Sequence, residues 1–245
     1  MNIRKGVIVS MVAVMAGTAG FGMAPGTAEA GPFDGIGAAM GVSTGSDVSV
    51  EGLTNKQNEM LRQVANAVIL LNLASNDVEQ ALGMEPEVIA NRNMVVENLT
   101  SGENQDVGFM ETSLNANKVP SEEIKANLKN VLASGDQAKI AEINSSMGLA
   151  ENKRIASGVC VALAVRDAAS IVKDTGIGIR QGKEVDTLQQ FLSTAQKTQE
   201  LIKLYNTQMK ALNTATGDYK KTQKITSPKA DSDGVAAELN KVPKG

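Results

Sequence analysis

Ser170-Ile171-Val172-Lys173 sets a hydroxyl and an amine one helical turn apart. That is the Ser-x-x-Lys spacing in which a lysine helps to make a serine nucleophilic for acyl transfer. The companion motifs are missing. Ser75-Asn76-Asp77 is a scrambled form of the Ser-Asp-Asn partner, no Lys-Thr-Gly occurs, and no strand pattern exists to carry them. Two common residues at a short spacing recur by chance, so the pattern reads as part of an ordinary helix surface.

Gly176-Ile177-Gly178-Ile179-Arg180-Gln181-Gly182-Lys183 invites a phosphate-binding reading and does not fit one. A phosphate loop needs glycine where Ile177 stands and a hydroxyl where Glu184 stands, and the dinucleotide pattern needs glycine in place of Gln181. Both motifs follow a strand, whereas this stretch follows a helical pattern and reads as a hinge between helices.

Metal chemistry is short of ligands. The chain has no histidine, and Cys160 is its one cysteine, so zinc, copper and paired-iron sites are excluded and no cofactor is expected. Ten acids against two basic residues between positions 76 and 123 would attract a hard cation, but the calcium-loop spacing is absent. Asp231-Ser232-Asp233-Gly234 likewise lacks the remaining ligands. A solvated acidic face is the simpler meaning. Cys160 sits in an apolar run, where a free thiol behaves as a small hydrophobe, and nothing nearby in sequence would activate it.

The segments that position these residues begin with a leader. Arg4 and Lys5 precede an apolar stretch from Gly6 to Ala16, and small residues lead to Ala28-Glu29-Ala30. That order is what a translocase and signal peptidase read, so residues 1–30 are expected to be a signal peptide cleaved after Ala30. The short basic start and Ala-x-Ala exit have a bacterial look, which implies a periplasmic or secreted location. Removing Arg4, Lys5 and Glu29 from 24 basic and 27 acidic residues leaves 22 and 26. Such mild acidity gives no reason to expect a nucleic-acid partner. Phe33, Phe109, Phe191, Tyr205 and Tyr219 are the aromatics that remain, too few for a sugar platform or a base-stacking surface.

Gly31 to Gly52 has no sustained periodicity, and residues 31–53 read as a flexible glycine-rich leader. Thr54 and Gln57 make a capping box, and Met60, Leu61, Val64, Val68, Leu71 and Val78 continue a helical stripe that Gly83 can close. Pro86 opens a shorter helix to about Gly102. Val107, Met110 and Leu114 are spaced for a helix, weakened by Gly108 and several asparagines. Ser121 to Gly135 forms the next one. Asp136 caps a segment reaching Thr175, with a bend expected at Gly148. Val185 to Thr216 carries the clearest amphipathic stripe, opposite a polar face that is mostly uncharged, Gln189, Gln190, Ser193, Thr194, Gln196, Thr198, Asn206, Thr207 and Gln208. Residues 217–245 hold six lysines and four acids with almost no apolar pattern, and read as a disordered tail.

The fold class that follows is all-α: an elongated antiparallel bundle over residues 54–216, built on long helices. Ile155 to Val165 is apolar or small on every face and belongs at its centre. Arg166 and Asp167 end that run and are expected as a buried structural polar pair, because an unpaired charge at a core edge is costly. No catalytic, cofactor or metal site stands out. The expected function is non-catalytic: a binding, scaffold or structural protein of the cell envelope, meeting another envelope protein or its own copies through helix faces. A membrane-active helical protein is the alternative, resting on the 155–165 run and on the apolar Gly35-Ile36-Gly37-Ala38-Ala39-Met40-Gly41. An enzyme using carboxylates or Ser and Lys ranks last, since acid–base work near neutral pH most often enlists histidine.

Overall fold

A computed structural model describes residues 48–102, 104–223 and 232–243. The signal peptide with its cleavage point and most of the glycine-rich leader lie outside those residues. The described chain is all helical: α1 Val50–Ala81, α2 Pro86–Thr100, α3 Val107–Ala116, α4 Ser121–Ser134, α5 Gln137–Arg180, α6 Val185–Thr222 and α7 Ser232–Lys241.

Local chemistry sets most of the ends. Gly83, Gly102, Gly135 and Gly182 take left-handed φ angles of 68°, 80°, 67° and 76°, each just past a helix. Pro86 occupies the first turn of α2, where its missing N–H leaves nothing unsatisfied. Asp106 accepts from Phe109 N at 2.9 Å and starts α3, and Asp136 accepts from Ala138 N and Lys139 N at 3.0 Å each. α1 begins five residues before the capping box suggested. Ser49 Oγ takes the Gly52 N–H at 3.0 Å, while Thr54 Oγ1 donates to the Val50 carbonyl at 3.0 Å from inside the helix.

Two further departures have identifiable causes. α5 runs unbroken through Gly148, Gly158, Gly176 and Gly178, although each helical glycine costs about 1 kcal/mol relative to alanine. The expected hinge shrinks to the turn after Arg180. The expected tail is helical over much of its length, because α6 continues to Thr222 and α7 follows. Tyr219 is 2% exposed and donates to Asn144 Oδ1 at 3.0 Å, and Val242 is buried, so single anchors suffice where a stripe is lacking.

The described residues divide into two compact units, 48–57 with 165–195, and 58–164 with those from 196 onward. The 54–216 segment assigned to one bundle contributes to both. In the first unit Leu53 of α1, Ala168, Ile171 and Val172 of α5, and Leu188, Phe191 and Ala195 of α6 are buried. A Cβ on Gly178 would stand 3.1 Å from Leu188 Cδ1, so this glycine lets the end of α5 approach the start of α6. Gly178→Leu is expected to destabilise the protein by roughly 1–3 kcal/mol through overpacking. An unchanged melting temperature would show the approach to be looser than this.

In the second unit three long helices pack together. Ser157 of α5 donates to the Ala67 carbonyl at 3.1 Å, and Lys153 reaches Asp77 at 2.5 Å, so partners on α1 rise in number as those on α5 fall. The same holds for α5 and α6, where Ser157 meets Tyr205 and Asn144 meets Tyr219. Neighbours are therefore antiparallel, and α1 and α6 are parallel. Their shared core is Met60, Val64, Val68, Leu70, Met147, Ala156, Cys160, Leu201, Tyr205 and Leu212, with α2 to α4 adding Ile89, Leu99, Met110, Leu114, Ile124 and Leu128. The Val119 N–H on the α3–α4 connection donates to Gln208 Oε1 at 2.9 Å. Gln208 and Thr198, read as part of the polar face of this helix, are buried, and Gln208 has this backbone donor to satisfy. After α7, the Pro243 carbonyl accepts from Arg62 Nη1 at 2.6 Å and Asn66 Nδ2 at 3.1 Å.

Candidate functional site

The Ser-x-x-Lys pair does not meet. Lys173 is exposed, and the amine at Ser170 is Lys56 of α1, whose Nζ donates to Ser170 Oγ at 2.8 Å. Lys56 is also ion-paired with Asp174, one turn further along α5. An ammonium held by a carboxylate has no lone pair with which to take the hydroxyl proton. The trio is a cross-helix clasp of the first unit. Gly176 to Arg180 is the last turn of α5, so the glycine-rich stretch presents a helix C-terminus, where no backbone N–H groups converge to cradle a phosphate.

Arg166 and Asp167 do pair, with Arg166 Nη2 at 2.8 Å from Asp167 Oδ1, but only the acid is buried, its side chain 10% exposed against 45% for Arg166. Successive helix positions diverge by about 100°, so both side chains cannot enter the core, and the longer one turns outward. Cys160 is 1% exposed and burial pushes its thiol up to about 11, which keeps it protonated and unreactive near neutral pH. Ser157 is hydrogen-bonded to Tyr205, whose phenol burial also raises well above its ordinary value. Among the described residues no three of His, Cys, Asp and Glu are grouped to hold a metal ion.

The most heavily buried charges lie in the second unit and were not visible as a site in the sequence. Arg92 of α2 is fully buried, with Nη1 at 2.5 Å from Glu79 Oε2 of α1 and Nη2 at 3.2 Å from the Lys118 carbonyl. Both side chains of the pair are 1% exposed. Burial raises the Glu79 carboxyl above its usual range, the Arg92 hydrogen bond and charge pull it back, and the Glu123 carboxylate pushes it further up. Glu79 Oε1 has no hydrogen-bond partner among the described residues. An unmet buried acceptor of this kind costs about 1–3 kcal/mol. The signal for Arg92 was present in its spacing, since it falls in the buried stripe Ile89, Arg92, Val95 and Leu99 of α2.

Glu79 lines a pocket of about 170 Å³ together with Met84, Glu85, Val88, Ala116, Asn117, Lys118, Pro120 and Glu123. The second charged cluster leaves far less room. Glu151 of α5 binds Arg154 at 2.5 Å and Lys220 of α6 at 2.8 Å, beside a void of about 10 Å³, room for one water. Burial alone would raise the Glu151 carboxyl, but the two cations and their hydrogen bonds outweigh it and hold it down at about 2. Comparison with protein-family models, curated proteins and solved structures finds no match to this chain.

Proposed function

We propose that this is an exported, non-catalytic protein of the cell envelope whose helix faces bind another envelope protein or a second copy of the chain. One observation carries the reading. The groups with the best credentials for chemistry are committed to internal structure: Ser170 and Lys56 to Asp174, Ser157 to Tyr205, and Cys160 to the core. The face of α6 at Gln189, Gln190 and Ser193 is exposed, uncharged and able to donate and accept hydrogen bonds, which suits contact with a polar protein surface. The leader supports export by its pattern alone.

In-cell crosslinking of a tagged chain with fractionation tests both halves of the reading. The expected result is a product that starts at Gly31, sits outside the cytoplasm, and crosslinks through α6 to one discrete partner or to itself. An intact leader on cytoplasmic material, or no discrete crosslink, would sink it.

A second reading is membrane activity, because α5 is long and apolar enough to cross a bilayer by length and composition. Half of its most apolar 18-residue window is buried inside the protein, as in a helix that packs on a core. Saturable binding to vesicles or leakage of their contents would favour this reading over the first.

A further inference from the structure

We propose that the pocket at the end of α1 is a binding site for an alkylammonium group, a cationic nitrogen on a short apolar stem. Four segments build it: Glu79 in the last turn of α1, Met84 and Glu85 before α2 with Val88 in its first turn, Ala116 at the end of α3 with Asn117 and Lys118 after it, and Pro120 with Glu123 at the start of α4. Two helix C-termini and two helix N-termini meet there, so their dipoles offset and side chains set the sign. Glu79, Glu85 and Glu123 outnumber Lys118, which makes the lining acidic.

Three features narrow the ligand. Glu79 Oε1 is a buried acceptor with no hydrogen-bond partner among the described residues, and an ionised carboxylate can only accept, so a group that satisfies it must donate. The three carboxylates do not converge as metal ligands do, which favours a cation larger than a bare ion. Met84, Val88, Ala116 and Pro120 give the pocket apolar walls, and its volume of about 170 Å³ suits a few carbons behind the nitrogen. The inference stands apart from the helix-face reading, since it uses no residue of α6.

Calorimetric titration of the mature chain at low ionic strength tests it, with n-butylammonium, butanol and butyrate as matched probes. Saturable binding of butylammonium alone is expected. Glu85 and Glu123 are exposed, so E85Q/E123Q should keep the fold and weaken binding roughly tenfold or more, as loss of charge-assisted contacts implies. Glu79→Gln, checked for its helical circular dichroism, should weaken it as well. A lysine amide with a blocked α-amine distinguishes the sources. Tighter binding than butylammonium points to a lysine side chain of a partner, weaker binding to a free amine. No saturable binding of butylammonium, equal binding of butanol or butyrate, or affinity unchanged in E85Q/E123Q would overturn the proposal and mean that water alone fills the pocket.

Discussion

Arg92→Met is expected to destabilise the protein by about 3–5 kcal/mol near pH 7, because it leaves the Glu79 carboxylate buried with no counter-ion. Both side chains of this pair are 1% exposed, so bulk solvent screens the bared carboxylate little. The Lys118 carbonyl loses its donor in the same change. The sign with pH is fixed by the direction of the Glu79 shift. Its carboxyl is raised in the folded state even with Arg92 present, chiefly by burial. A raised acid favours folding at low pH, and that advantage is lost as pH rises through the folded value. The penalty of the variant should therefore shrink as the solution is acidified and Glu79 takes up a proton. Urea unfolding at pH 7 and at about pH 4.5 measures this. A loss under about 1 kcal/mol at pH 7 would show that the pair contributes no more than a surface contact. Glu79→Leu with Arg92→Met should recover much of the loss, since an apolar pair of similar volume often replaces a buried ion pair at little cost.

Glu151→Gln should have the opposite dependence on pH. The native carboxyl is held at about 2 against an unperturbed 4.5, although burial works against it, because Arg154 and Lys220 both reach it. A depressed acid contributes stability that is complete above its unfolded value and is lost as pH falls through the folded one. The window lies between about 4.5 and about 2. On that shift the charge stabilises the native state by up to about 3 kcal/mol at neutral pH. Glu151 itself is 3% exposed, so solvent screening removes little of this. Wild type and variant should differ most at pH 6–7 and converge as pH falls toward about 3 and below. A gap that stays constant over that range would mean that shape, and not charge, ties α5 to α6 at this point.

Helix ends written in adjacent residues could be read from the chain. Asp136, Pro86, Gly83 and Gly135 act through their own φ angles or oxygen atoms within four positions, so neighbours in sequence carry the information. Where two hydroxyls competed to open α1, the pattern favoured Thr54 with Gln57, while Ser49 wins by satisfying the Gly52 N–H. The length of α6 was misread because Tyr219 and Lys220 are held by Asn144 and Glu151, more than sixty positions away. The same limit hid the charged interior. Glu79 and Arg92 look like surface residues until α1 and α2 are laid together, and the pocket needs four segments at once. Arg92 alone left a trace, a cation in the phase of an apolar stripe.

The antiparallel stacking of α1 on α5 also constrains the order in which the chain can assemble. Ser157 closes on Tyr205 across 48 residues, whereas its bond to Ala67 spans 90 and that of Lys153 to Asp77 spans 76. Shorter loops close at lower entropic cost, which places the α5–α6 hairpin ahead of the docking of α1. A ribosome delivers α1 first, though, and its oily stripe then waits for most of the protein to be made. The Glu79–Arg92 contact, only 13 residues apart, is the earliest refuge on offer, so a growing chain can shelter one end of α1 while the rest depends on a holding factor or on haste.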